Sequence, residues 1–313
     1  MANSLTYPTP ALESVDTLTT EQIHELLRNQ PALAWRVRTL AAQRFIADSL
    51  LTSKYQVVGG SFLYETGEPL FSEDDPEVIA AGGEYPRSQV YTGDLGVART
   101  EKLGRDIPIT DESIKRRGID PVTKAFNQLV NRMVKFVDGQ ALSLITSKVT
   151  QTQASTGQWG ATDADAAVAS IVESVELVKA KAEESGEGHT LDTIALSPTA
   201  YAKVMSRFLA AGLLPREASN PLLTGTWPTV LDLTWLRSPN VPSANPLILD
   251  TAELGGMADE QLGGPGYVGS QAGIETKSIR EEKTDSYLLR ARRVTVPVIT
   301  DATAGYVITG TGL

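Results

Sequence analysis

Ile109-Thr110-Asp111-Glu112-Ser113-Ile114-Lys115-Arg116-Arg117-Gly118-Ile119-Asp120-Pro121-Val122 opens the longest periodic segment of the chain, and the other segments are placed relative to it. From Val122 onward apolar residues fall at Phe126, Leu129, Val130, Met133, Phe136, Val137, Ala141, Leu144, Ile145 and Val149, the three-or-four spacing of one helix face. Asp120 suits the N-cap and Pro121 the first helical position, where a missing N–H costs nothing. The spacing predicts a helix over 120–149. Roughly 29 residues at about 1.5 Å each make a rod of about 43 Å, against a usual helix of about 11–12 residues. A rod that long outruns a compact core and serves as a spine. Gly139, near its middle, costs about 1 kcal/mol relative to Ala and marks a candidate bend.

With 313 residues the chain can hold one large or two ordinary domains. Apolar content of 41% and charge of 21% are globular values, so wholesale disorder is not expected. A net charge of −10 argues against a dedicated nucleic-acid binder with a basic face, without forbidding loose proximity to DNA. The absence of Cys removes disulfides, thiolate nucleophiles and cysteine zinc sites. Residues 1–16 have neither the basic start nor the apolar run of a signal peptide. No stretch approaches the roughly 18 apolar residues of a membrane span, so a soluble cytoplasmic protein is expected.

Residues 1–18, with Pro8 and Pro10, read as an extended arm. Thr19 or Thr20 can cap a short helix running to Asn29, and Pro31 starts a second, with Leu33, Val37, Leu40, Ala41, Ile46 and Leu50 at helical spacing. This first part is too small to close a core. It either packs on the main domain or reaches across a neighbouring subunit. Over 55–107 the pattern predicts strands near 55–58, 61–64, 89–91 and 97–100 with glycine turns between them, a long two-stranded excursion. An isolated hairpin is marginally stable in water and needs something to lie on. From Tyr55 to Pro86 the chain carries seven acids, Glu65, Glu68, Glu73, Asp74, Asp75, Glu77 and Glu84, and no Lys or Arg. Either this is a solvated loop or it docks on a basic surface of another copy. The candidate surfaces are Lys115, Arg116 and Arg117, and the run Arg290, Arg292 and Arg293.

Beyond the spine, 151–161 reads as a Ser/Thr/Gly linker. Asp163 or Asp165 then opens a helix that stops at Gly186 and Gly188. A short buried strand at 193–196 leads through Ser197-Pro198 into a helix to Ala210, an α+β texture. From 212 to 273 prolines punctuate short strands near 230–236 and 247–250, which suggests a second, loop-rich lobe. Segments 274–280, 287–298 and 306–308 read as strands. The strongest, Tyr287 to Val298, is expected to return to the first lobe and pair there.

Sites for chemistry are sparse. Gly264-Pro265-Gly266-Tyr267-Val268-Gly269 matches G-x-G-x-x-G, but polar residues precede it, Pro265 lacks an N–H and no clear helix follows, so a loop is expected rather than a dinucleotide site. His24 and His189 lack catalytic or metal-ligand neighbours in sequence. Glu73, Asp74, Asp75 and Glu77 have the charge for calcium without the glycine-centred spacing, and Pro76 interrupts them. No catalytic residue, cofactor or metal is expected. A carboxylate site of a hydrolase in the Pro-rich lobe stays open, because paired acids are invisible in one sequence.

In this order the pieces resemble a tailed-bacteriophage major capsid protein of the Hong-Kong-97 type. The stretches that carry the resemblance are Glu77-Val78-Ile79-Ala80-Ala81-Gly82-Gly83-Glu84-Tyr85-Pro86, then Ile109 to Arg117, then Asp120 with the long helix, and Leu191 to Ala210. It covers roughly residues 50–313. It implies an α+β Hong-Kong-97-like fold with an N-terminal arm (1–54), an extended loop (55–107), a peripheral domain (108–192 with 274–313) and an axial domain (193–273). It further implies shells of hexamers and pentamers around double-stranded DNA, assembled in the host cytoplasm, with each extended loop over an adjacent subunit. Expected partners are other copies, a portal, a separate scaffolding protein and a decoration protein. The covalent cross-link of some members needs a Lys on the extended loop and an Asn on a neighbour. No Lys lies between Tyr55 and Pro86 and no Asn follows Asn245, so a non-covalent shell is expected. The 54 residues of the arm are too few for the cleavable scaffolding domain of other members. An encapsulin-like compartment shell, of the same fold, is the alternative.

Overall fold

The computed structural model describes residues 19–35, 45–67, 78–79, 81–85, 87, 93–212, 229–269 and 273–313. The acids Glu73, Asp74, Asp75 and Glu77 and the strand expected at 89–91 lie outside the described residues.

The chain begins with α1 (Thr20–Arg28). The Thr19 side chain accepts from the Gln22 backbone N–H while the Gln22 side chain accepts from that of Thr19, a reciprocal capping box. Residues 30–35 are again helical, and α2 (Ala47–Leu50) follows. Ile23, Leu27, Leu33, Phe45, Leu50 and Leu51 are buried in the main core. The described part of the arm therefore packs on its own subunit. Gln30 fixes this seat, because its side-chain amide both donates to the Ser278 carbonyl and accepts from the Ser278 N–H.

The main sheet runs β1 (Ser53–Gln56), β10 (Gly255–Asp259), β13 (Ser286–Ile299), β12 (Ile274–Glu281) and β11 (Val268–Gly269), with β4 (Glu101–Thr110) on the other edge of β13. As its alternation suggested, the Tyr287 segment returns to the first half of the chain, pairing with β4 from Ser286 opposite Thr110 to Thr295 opposite Glu101. Neither β4 nor β10 was legible as a strand. β4 carries Pro108, Gly104 and four charged residues, the composition of an edge strand guarded against further pairing. β10 begins with two glycines because its neighbours press close. A Cβ on Gly256 would lie 2.2 Å from the Ser53 carbonyl oxygen. The sheet thus draws strands from segments that the sequence assigns to the arm, the extended loop, the axial unit and the peripheral unit.

The spine, α4 (Asp120–Lys148), follows α3 (Asp111–Arg117) and has 29 residues. Its N-cap is Ile119, one residue earlier than expected, with Asp120 in the first turn, where its charge suits the helix dipole. Val122, Phe126, Leu129, Val130, Met133, Val137, Ala141 and Ile145 bury its core face, whereas Phe136 is 51% exposed. The helix is continuous through Gly139, beside which an added Cβ would meet nothing within 4 Å.

A second sheet, ordered β5 (Thr152–Ala154), β14 (Gly305–Thr309), β9 (Leu247–Leu249), β6 (Thr193–Leu196), β8 (Leu233–Arg237) and β7 (Thr229–Val230), carries a second core. There α5 (Ala164–Glu184) and α6 (Pro198–Ala210) pack over Trp159 and Trp235, with Phe208 edge-on to Trp235 at 5.7 Å. The expected linker at 151–161 contains β5, which pairs in parallel with β14. The excursion before the spine appears as a ribbon of β2 (Ser61–Thr66) and β3 (Asp94–Arg99).

Two glycines make opposite predictions. Gly139→Ala should stabilise the isolated subunit by about 0.5–1 kcal/mol, because it removes unfolded-state freedom at an open helical position. Gly256→Ala should destabilise it, because its Cβ has no room against Ser53. Urea denaturation of both variants checks this.

Candidate intersubunit surfaces and the charge network behind them

The run Arg290, Arg292 and Arg293 is not a free basic surface. Successive strand residues point to opposite faces, so Arg292 and Arg293 cannot share one patch. Arg290 donates from Nε and Nη2 to the Asp106 carboxylate on β4 at 2.7 and 2.6 Å. Arg292, buried, donates from Nε to Glu275 on β12 at 2.6 Å and lies 3.7 Å from the Tyr267 ring centroid. Arg293, 1% exposed, reaches Asp259 on β10 at 3.0 Å and Asp48 on α2 at 2.8 Å, with the Phe45 ring beside it. Each arginine of β13 is spent on a different neighbouring element. These pairs draw the Asp106 carboxyl below its ordinary range, chiefly through the Arg290 hydrogen bonds. At Asp48 burial favours the neutral acid, but Arg293 and Lys54 outweigh it and hold the carboxyl low.

Beside this network lies a residue that the sequence reading missed. Asp138 sits on the buried face of the spine, 1% exposed, and accepts from the backbone N–H groups of Ala47 at 2.9 Å and Ile46 at 3.4 Å. It thereby pins the arm to the spine. Desolvation pushes its carboxyl up to about 6, against the pull of the two N–H groups, while Asp48 adds repulsion and Arg293 attraction. An acid one residue after Val137 on an apolar stripe was the available signal.

Lys115, Arg116 and Arg117 occupy the last turn of α3, exposed and without an ion pair among the described residues. Glu84 is also exposed. The ribbon is two-faced. Phe62, Tyr64 and Ala98 pack toward Val57, Ala258 and Val298, while Leu63, Leu95 and Val97 on the outer face are 62%, 67% and 64% exposed.

The motifs weighed for chemistry have structural uses. The G-x-G-x-x-G segment leads into β11 rather than a helix, and Lys277 donates to its Pro265 carbonyl. His189 contacts Glu187 and Thr303, and His24 lies 4.0 Å from Asp111. In the Pro-rich lobe Asp250 accepts from the N–H groups of Thr190, Ala252 and Glu253 and so holds a turn. Among the described residues no acid–histidine group could hold a metal ion, and no helix is long and apolar enough to cross a membrane.

Asp138 yields a pH test. Its folded pKa lies above the unfolded value of 3.8, so between about pH 4 and 6 the folded state binds more protons. This contribution to stability is present at low pH and is lost as pH rises through about 6. The stability of the wild-type subunit relative to Asp138→Asn should therefore rise by about 1 kcal/mol from pH 7 to pH 5. Denaturant unfolding of the unassembled subunit at both pH values measures it, and a constant difference contradicts the assignment.

The fold is shared with solved structures. A virus-like particle from Pyrococcus furiosus superposes with a TM-score of 0.55 at 12% identity, covering 88% of this chain and 97% of its own. A phage-related protein from Bordetella bronchiseptica RB50 gives 0.54 at 14%, over 90% and 97%. The capsid of cyanophage P-SCSP1u gives 0.56 at 11%, over 82% and 85%. No curated protein sequence matches. The phage capsid protein family, however, matches residues 95–308, from the ribbon through the spine and both sheets to the last strand. This chain therefore belongs to the phage capsid protein family, as a major capsid protein with the Hong-Kong-97-type fold, and its place is in the shell of the virion.

Proposed function

We propose that the subunit forms hexamers and pentamers that close into an icosahedral head around double-stranded DNA, with contacts that are non-covalent throughout. The observation that carries this is the outer face of the ribbon. Leu63, Leu95 and Val97 stand exposed on the outer face of a two-stranded element whose inner face packs on its own subunit, and burial against another copy would remove that apolar area from water. The acid-rich sequence of 65–84 then supplies counter-charge to Lys115, Arg116 and Arg117 of a neighbour, cations without an ion pair among the described residues. Residues 1–54 act as arm and 55–107 as extended loop. Residues 108–192 with 274–313 form the peripheral unit and 193–273 the axial unit. The shell does no catalysis of its own. It assembles in the host cytoplasm with a portal, a separate scaffolding protein and a decoration protein as partners.

Single exposed ion pairs are worth only about 0.2–1 kcal/mol, so the docking contributes through repetition over many copies. Reversing Glu73, Asp74 and Asp75 to Lys should leave the subunit folded by circular dichroism while reducing particles in electron micrographs. Further reversal of Lys115, Arg116 and Arg117 to Glu should restore them. Normal particles from the triple acid variant would remove the docking contact.

Boiling purified shells in detergent should release one monomer band. A ladder of covalent oligomers would contradict the non-covalent shell.

A further inference from the structure

The spine divides its charge sharply. Its two acids are Asp120, at the first turn, and Asp138, which is buried, so between Val122 and Lys148 every exposed charged side chain is a cation. Arg132 and Lys135 stand on a groove whose opposite wall carries Arg99 and Arg105 from β3 and β4. All four are exposed, and none forms an ion pair or hydrogen bond among the described residues. Of the two acids at the groove, Asp106 is paired with a cation, while Glu101 is hydrogen-bonded by a neutral amide and keeps its charge, leaving the four cations in excess. Gln140 donates to Glu101 at 2.9 Å, and Asp106 is held from two nitrogens by Arg290. The floor is open at Gly139 and offers the hydroxyl of Ser143, while the Ser147 hydroxyl donates to the Leu144 carbonyl at 2.8 Å. Four unpaired cations facing one another repel unless an anion lies between them. Concentrated on one face, they give a protein of net charge −10 a local field of opposite sign.

We infer that this groove binds the phosphate backbone of double-stranded nucleic acid without reading its sequence. From Gln128 to Ser147 the helix runs for about 29 Å at about 1.5 Å per residue, close to the ~34 Å of one duplex turn. Long cations with amide and hydroxyl donors along that line are the groups that contact phosphates. The acidic loop of another copy suits the groove less well. Its charges are interspersed with Leu70, Phe71, Val78 and Ile79, and although Phe136, Leu144, Val296 and Pro297 line one end of the groove, the exposed side chains toward its other end are those of Arg105, Gln128, Asn131, Arg132 and Lys135. The total charge of the chain concealed this face, because summation cancels what the fold separates. The inference rests on the proposed DNA-filled shell and adds the surface that meets the DNA.

The test uses the full-length subunit and a fluorescent random-sequence duplex, with particle assembly followed in parallel by light scattering. Wild type should bind more weakly as salt rises. The variant Arg132→Gln/Lys135→Gln should reduce the log–log salt slope by about 2 and the affinity at 0.1 M salt by roughly tenfold to a hundredfold, whatever the duplex sequence. Arg99→Gln/Arg105→Gln, on the opposite wall, should reproduce the loss, and circular dichroism reports folding of both. Wild type that does not bind, or variants that bind like wild type, would overturn the inference. Variants that bind duplex normally but cannot assemble would overturn it too, by giving the groove to another copy. Wild type that never forms particles would instead count against the shell reading.

Discussion

The guanidinium of Arg293 is the constraint on which the rest of the subunit depends. A cation that is 1% exposed is tolerable only with its hydrogen-bonding demands met, and leaving it unpaired would cost several kcal/mol. Its two carboxylates come from places far apart in sequence, Asp48 in the arm and Asp259 on β10. The arm segment is in turn held to the spine by Asp138. Arm, spine and the central strands of the sheet must therefore be in register together before the charge is satisfied, which ties elements contributed by residues 45–48, 138, 259 and 293 into one cooperative unit.

Around that unit the polarity is sorted. Pairs along β13 engage its arginines, and among the described residues cations without an ion pair remain on α3 and along the groove of the spine. The acids of 65–84 lie in a segment with no cation of its own. The opposite charges are separated along the chain, we propose for separate destinations, and the net charge describes neither group. Electrostatic complementarity of this sort adds register and specificity more than raw affinity.

What could be read from the sequence depended on whether a local rule matched the tertiary demand. The spine was legible because an apolar stripe at helical period has one physical meaning. So were a cap at Thr19 or Thr20, of which Thr19 is the one used, and the Ser197-Pro198 helix start, where short-range hydrogen bonding decides the structure. β4 and β10 were not, because Pro108 and the pair Gly255-Gly256 serve edge protection and close backbone approach, and both uses depress strand propensity. Arg292 and Arg293 looked like a surface because a charge run is usually solvated. Their alternation on a strand should have separated them. Of the contact candidates, Arg290, Arg292 and Arg293 turned inward to partners that only the sheet register reveals, Lys115 to Arg117 stayed outside, and Asp138 was hidden by its single residue of offset from an apolar position.

The seat of Asp138 also limits how such a subunit can change in length. Inserting one residue into the helix between Phe126 and Asp138 would rotate the carboxylate by about 100° around the axis, out of reach of Ile46 and Ala47 and into apolar packing. An insertion of seven would leave it only about 20° out of phase but would carry it about 10 Å along the axis, past the arm it holds. The rod is thus fixed in both phase and length by one side chain. Length can change in the ribbon, the loops and the second sheet of this subunit without disturbing that seat, whereas the stretch of spine before Asp138 cannot change freely.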